Sequence, residues 1–351
     1  MNFSRFGLWA ILIACLIGFT PASVLALKGD DGGAPNIPPG FPQPPVGTGT
    51  ILVNGGSPVS LTGVAGFPVQ VLNHTFATFD SAAVVDLSNV VAAGSAVSVF
   101  DTSRINCNGA TFGLGIVTGG FATNALVGLT AFDQSLVTVS GGTLHSFISS
   151  GGSSTDVAIG LSARGTSSIT VNDGNVTGSI SSGSGGTATA YGLFASDHSS
   201  VSILNGNFIG STSFGVGDGL RAFGQATVSI LGGSFDGEGA STGVPAAISA
   251  GGSSTISIFG GSFSSANSPG PAYGLMAQDT AQILLYGSGF NYPFGAIPDL
   301  TGTITGILQN GQNVNLSFQQ GHAGQISLVP EPSTIGLAVL VSLIPFRSRR
   351  R

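Results

Sequence analysis

Apolar residues recur along the middle of the chain in short alternating runs that return every 27 to 32 residues. The clearest copies are GLTAFDQSLVTVSGGTL, GLSARGTSSITVNDGNV, GLFASDHSSVSILNGNF, GLRAFGQATVSILGGSF, AISAGGSSTISIFGGSF and GLMAQDTAQILLYGSGF. Their second residues are Leu129, Leu161, Leu193, Leu220, Ile248 and Leu275, and an earlier copy starts at Val97. Spacings from Val97 onward are 32, 32, 32, 27, 28 and 27. Self-similarity at such a period marks a stacked architecture, in which one unit alone cannot bury its apolar face.

With that anchor as position 0, position +2 is Ala131, Ala163, Ala195, Ala222, Ala250 or Ala277. Positions +8 and +10 are Ile, Val or Leu apart from Cys107, and +15 is apolar from Phe112 to Phe290. Period-2 alternation within each run predicts strands with one buried face. Three short strands per repeat are expected, near 0 to +3, +8 to +11 and +15. Gly at +13 turns the chain between the last two, with Ser288 in its place in the final copy. The pattern predicts an all-β fold, a parallel β-helix (β-solenoid) of about nine coils of 27–32 residues, right-handed as parallel crossovers are. All length variation falls after +15, in Gly/Ser stretches such as 178–192 and 237–247, which read as loops at one corner. A hairpin over 300–328, turning at Asn310-Gly311, is expected to cap the last coil.

Composition supports the strand reading. Charged residues make up 7% of the 351, against roughly 25% in an ordinary soluble domain. Ser, Thr, Asn and Gly must therefore cover the surface, and all are poor helix formers. Arginines lie mostly at the ends. Between Arg5 and Arg347 the basic residues are Lys28, Arg104, Arg164 and Arg221, against fifteen acids. So acidic a body has no electrostatic footprint for a phosphate backbone, which disfavours nucleic acid as a partner. Cys107 is the one cysteine beyond the leader and reads as a small buried hydrophobe.

Both ends read as addresses. Residues 1–26 have a signal-peptide pattern: Arg5, the apolar run Phe6 to Phe19, and cleavage by signal peptidase after Ala26. A Pro/Gly-rich linker follows over 27–48, ahead of the repeats at 49–299. Residues 329–351 begin Val329-Pro330-Glu331-Pro332-Ser333-Thr334, continue in an apolar run over 335–346, and end in Arg347, Arg349, Arg350 and Arg351. This three-part tail resembles the PEP-CTERM sorting signal of Gram-negative bacteria. The resemblance implies recognition by an exosortase-like enzyme, transient insertion in the inner membrane, and delivery to the cell surface or extracellular matrix. The residues themselves fit such a role. Pro330 and Pro332 favour an extended segment, and the arginines resist translocation. The apolar run is expected as a short membrane helix of about 18 Å, well under a bilayer core of about 30 Å.

Candidate chemistry is sparse. Position +4 alternates Asp and Gly (Asp101, Asp133, Gly165, Asp197, Gly224, Gly252, Asp279), which reads as a turn position rather than a metal ladder. Gly239 to Gly243 matches G-x-S-x-G, but in a variable stretch without the strand–turn–helix context. His74, His145, His198 and His322 are isolated, so no metal or cofactor is expected. Asp218, Asp236 and Glu238 form the best acidic grouping for a glycan-cleaving enzyme, with Arg164 and Arg221 two repeats apart. Outward positions +1 and +3 carry Phe100, Phe132, Phe194 and Phe223, a candidate stripe for sugar rings. The expectation is a structural or adhesive surface protein rather than an enzyme. The alternative is a polysaccharide-binding or polysaccharide-cleaving β-helix protein.

Overall fold

The computed structural model describes residues 24–27, 50–54, 59–61, 64–65, 69–72, 76–79, 84–87, 94–118, 123–151, 155–182, 187–240, 243–268 and 270–331. The described residues form strands and turns with no helix. Equivalent residues of successive repeats pair in parallel and in register. The anchor column runs Val97, Leu129, Leu161, Leu193, Leu220, Ile248, Leu275 and then Phe318. The +8 column runs from Ala77 through Ile105, Val137, Ile169, Val201, Val228, Ile256 and Ile283 to Ile326. All these side chains are buried, and they meet in one apolar core with the +2 alanines. Phe208, Phe235 and Phe263 stack at +15 with ring centroids 4.9 and 5.5 Å apart.

One expectation is corrected. The strands make a single sheet that closes into a barrel of twelve strands, rather than an open parallel β-helix of separately stacked faces. The Gly/Ser stretches explain the difference. They are largely strand rather than corner loops: Leu136–Ser150 and Ser168–Ser182 each run for 15 residues through the +13 turn. The next strands, Thr155–Ala163 and Thr187–Ala195, begin shortly after. Corners spanned by continuous strand join what would otherwise be separate faces. Small residues make this possible, because the backbones approach too closely for larger ones. A Cβ on Gly178 would lie 2.3 Å from the Tyr191 carbonyl oxygen and 2.4 Å from that of Ala158.

A second correction concerns the membrane. Among the described residues no helix is long and apolar enough to cross a bilayer. The stretch expected as a membrane helix, 335–346, lies outside the described residues, as do the linker from 28 to 48 and the leader before Val24.

At the C-terminal end Thr301–Leu308 pairs antiparallel with Asn313–Gln320 around the Asn310-Gly311 turn, where Gly311 has φ 87°. The second of these strands also adds in parallel to Tyr273–Ala277. Gln325–Pro330 lies between Gln282–Ser288 and Gly295–Ala296, so both its edges are paired.

The +4 turn has one conformation throughout. Asp101, Asp133, Asp197 and Asp279 have φ of 59°, 54°, 61° and 55°, and Gly165, Gly224 and Gly252 have 67°, 70° and 65°. Asp and Gly alternate because both tolerate this left-handed region. Asp133, Asp197 and Asp279 each also accept a hydrogen bond from the turn below. Asp197 Oδ2 takes the Gly165 N–H at 3.0 Å, and Asp279 Oδ2 takes that of Gly252 at 2.8 Å. Replacing Asp197 by Gly should therefore change unfolding free energy by less than about 1 kcal/mol, since the exposed bond lost is offset by relieved backbone strain. Replacing it by Val should cost about 1–3 kcal/mol, because a β-branched residue is held at positive φ. Urea denaturation of the two variants checks the difference.

Candidate functional site

A crease runs along the outside of the barrel, and its origin is a small residue before each anchor, glycine in all copies but those with Ala96 and Ala247. At position −1 stand Gly128, Gly160, Gly192 and Gly219, and the parallel pairing skips each of them. Their missing side chains leave room for the neighbouring backbone. A Cβ on Gly192 would come within 2.7 Å of the Ile209 nitrogen, and one on Gly219 within 2.7 Å of the Asp236 nitrogen. Both −1 and the anchor thus face inward, which bends the strand. The outward residues at −2 and +1 are brought together across the bend.

The crease has its own contents. Val127, Ile159 and Tyr191, all at −2, form an apolar cluster separate from the main core, with Val157 and Phe194 against it. At +1, Thr130, Ser162 and Ser249 are buried although they point away from the core. The Ser95 and Thr130 hydroxyls hydrogen-bond at 2.6 Å.

Charge enters at one place. Asp218 occupies −2 in the repeat after Tyr191, and Arg221 occupies +1 opposite it. Asp218 is 1% exposed. Its Oδ1 accepts the Ala246 N–H at 2.9 Å. Its Oδ2 faces Arg221 Nη1 at 3.7 Å, beyond hydrogen-bond reach, and no other atom completes it. Burial pushes the Asp218 carboxyl up to about 7, against the pull of Arg221, the Ala246 amide and Ser249. The Arg221 guanidinium carbon sits 5.6 Å from the Tyr191 ring centroid. Tyr191 stacks on Phe194 at 5.4 Å, and the Arg164 guanidinium lies 5.8 Å from the Phe194 ring on the other side. Burial pushes the Tyr191 hydroxyl up to about 12. Two arginines from repeats on either side thus bracket an aromatic pair.

The sequence-derived candidates are distributed differently. Phe100 and Phe132 stack on each other at 4.8 Å with rings within 2° of parallel. Phe194 turns to Tyr191 instead. Phe223, 44% exposed, stands apart from both pairs. The four therefore make no single stripe, since Arg164 and Ser196 take the +3 position between Phe132 and Phe223. Asp236 and Glu238 form a pair of their own. Burial and then the Glu238 charge raise the Asp236 carboxyl, while Glu238 accepts the Ser211 hydroxyl at 2.8 Å. Ser241 of the G-x-S-x-G match lies outside the described residues. Cys107 is fully buried, and burial pushes its thiol far up, as for an inert thiol. No group of His, Cys, Asp or Glu among the described residues could hold a metal.

Of the processing residues, Ala26 lies in the strand Val24–Leu27, paired in parallel with Thr50–Val53. Val329 and Pro330 end the strand Gln325–Pro330, and Glu331 lies 3.4 Å from the Ser288 hydroxyl. Pro332, Ser333, Thr334, Arg347, Arg349, Arg350 and Arg351 fall outside the described residues. A hollow of about 260 Å³ near the C-terminal end is lined by Gln282, Ile297, Leu300, Gln320 and His322. The Gln320 amide bridges the Ile297 and Asp299 carbonyls and the Ile326 N–H, so this hollow belongs to the end closure.

Tyr191 and Ser249 escaped the sequence reading, which followed the columns only forward from the anchor. The signal was present two residues before it. Ser95, Val127, Ile159, Tyr191, Asp218, Ala246 and Tyr273 stand in one column, and the aspartate is its charged member. Comparison of the chain with protein-family models, with curated proteins and with solved structures returned no match.

The raised Asp218 carboxyl has a consequence for stability. The folded protein holds this proton up to about pH 7, whereas the unfolded chain releases it near 3.8. Stability contributed by Asp218 is therefore full below about pH 4 and falls as pH rises to about 7, by up to about 4 kcal/mol. Asp218→Asn should match the wild type in thermal midpoint at pH 4 and exceed it by several degrees at pH 8. Parallel midpoint-against-pH curves for the two proteins would reject this account.

Proposed function

We propose that the chain is an exported structural or adhesive protein of the cell surface or extracellular matrix, sorted through its C-terminal Pro-Glu-Pro segment. The observation that carries this reading is where that segment begins. Val329 and Pro330 close the last paired strand, whose Ile326 and Leu328 are buried in the core. A cut beyond Glu331 therefore removes none of the described core residues. Cleavage after Ala26 at the other end removes most of the strand Val24–Leu27, the partner of Thr50–Asn54.

The exterior supports the same reading. Outward columns beside the +8 and +10 residues carry Ser168, Ser200, Thr227 and Thr255, then Thr170, Ser202, Ser229 and Ser257. These half-buried or exposed hydroxyls solvate a surface nearly free of charge. A regular, repetitive body with few ionic groups suits a structural element better than a catalyst. A glycan-cleaving enzyme would need convergent carboxylates. Asp218 faces Arg221, Ala246 and Ser249 rather than Asp236 and Glu238.

The test is the mass of the mature extracellular protein, expressed where an exosortase-like enzyme is present. The expected species begins at Leu27 and ends within 331–333. The triple variant Pro330→Ala, Glu331→Ala, Pro332→Ala should keep its arginine tail and remain with the cells. Secreted protein that retains Arg351, or a triple variant processed like the wild type, would overturn the reading.

A further inference from the structure

We infer that the crease at Arg164, Phe194, Tyr191, Asp218 and Arg221 is a binding site for a linear acidic polysaccharide, whose carboxylates the two arginines take. This rests on the reading of the chain as a surface or matrix protein, and it names the partner.

Three observations carry it. The body holds three arginines, and two of them, Arg164 and Arg221, converge on one aromatic pair. Neither is consumed by a close ion pair. Arg164 Nε donates to the Ser162 hydroxyl at 3.2 Å, and Arg221 stays 3.7 Å from Asp218 with a quarter of its side chain exposed. Asp218 keeps one carboxylate oxygen buried and uncompleted, pointing at Arg221. When that guanidinium turns toward a ligand carboxylate, Asp218 Oδ2 is left to accept a sugar hydroxyl. Uronate rings supply both groups.

Spacing selects the class of polyanion. The arginines come from repeats two apart, about 10 Å along the stack. The carboxylates of a chain that alternates acidic and neutral sugars, or turns each ring over, recur on one side at every second ring. A nucleic-acid strand instead carries a charge about every 3.4 Å and needs a continuous basic track. The +1 column runs Ser162, Phe194, Arg221 and Ser249, and Arg164 at +3 stands between Phe132 and Ser196, so no such track exists. The Tyr191 and Phe194 faces are taken by each other and by the guanidinium groups. Their part is to hold the arginines in place, so Phe194 and Tyr191 are positioning residues.

Affinity electrophoresis of the purified full chain in detergent tests this, with polygalacturonate, dextran or single-stranded DNA cast in the gel. Wild-type protein should be retarded by polygalacturonate alone, and less so at high salt. Arg164→Gln with Arg221→Gln should raise the apparent Kd at least tenfold while the far-ultraviolet circular dichroism is unchanged. If the double variant fails to fold, Arg164→Glu alone should weaken retardation several-fold. Equal retardation of wild type and variant, none of wild type by polygalacturonate, or as much by dextran or DNA would each overturn the proposal. All of these outcomes are read on purified protein, so they stand apart from the fate of the sorting segment in cells.

Discussion

Every other feature depends on equivalent residues lying over one another in parallel register. A rung of this structure buries its leucine, alanine, valines and phenylalanine only because the rungs on either side present the same residues at the same places. The hydrogen-bond ladder enforces that alignment. A slip of one residue would send each column from the core to the solvent. Changes in repeat length are tolerated only where no core column passes. The five residues that separate a 32-residue from a 27-residue repeat are lost between +15 and the next anchor. The span from Ile180 to Ala188 shortens there to that from Thr212 to Gly215. The core columns on either side keep their partners.

That same span is where the sequence pattern misled. Gly, Ser and Ala in unbroken runs are read as loop because they carry little apolar signal, yet here they are strand. The reason is distance. Two backbones pass so closely at Gly178, Gly210 and Gly237 that a β-carbon would collide with a carbonyl, so the composition is dictated by packing rather than by flexibility. The forward columns at 0, +2, +8, +10 and +15, the all-β class and the left-handed +4 turn were legible, because each has a residue-level signature that recurs. The closure of the sheet was not, because it depends on strands running on through corners that the pattern marks as breaks. The crease was half legible. Asp218, Arg164, Arg221 and Phe194 were singled out, but as members of other groupings. Only the bend at the −1 glycine brings +1 against −2, and a strand drawn straight keeps those positions apart.

Internal repetition supplies a comparison that a single chain seldom offers. The −2 position is filled by Val127, Ile159, Tyr191, Asp218 and Ala246 in successive repeats on nearly the same backbone. The fold is evidently content with an aliphatic side chain there. Burying a carboxylate in its place costs several kcal/mol, and a neighbouring arginine at 3.7 Å repays only part of it. Nor does the pair contribute to specifying the fold, since register is already set by the columns above and below it. A charge in a chain with only 7% charged residues, at a position where the adjoining repeats do without, returns to the fold only the hydrogen bond that Asp218 Oδ1 accepts from the Ala246 N–H. The guanidinium it holds is therefore best understood through what lies outside the barrel: an anion on the open side of the crease would complete the geometry that Asp218 and Arg221 leave unfinished.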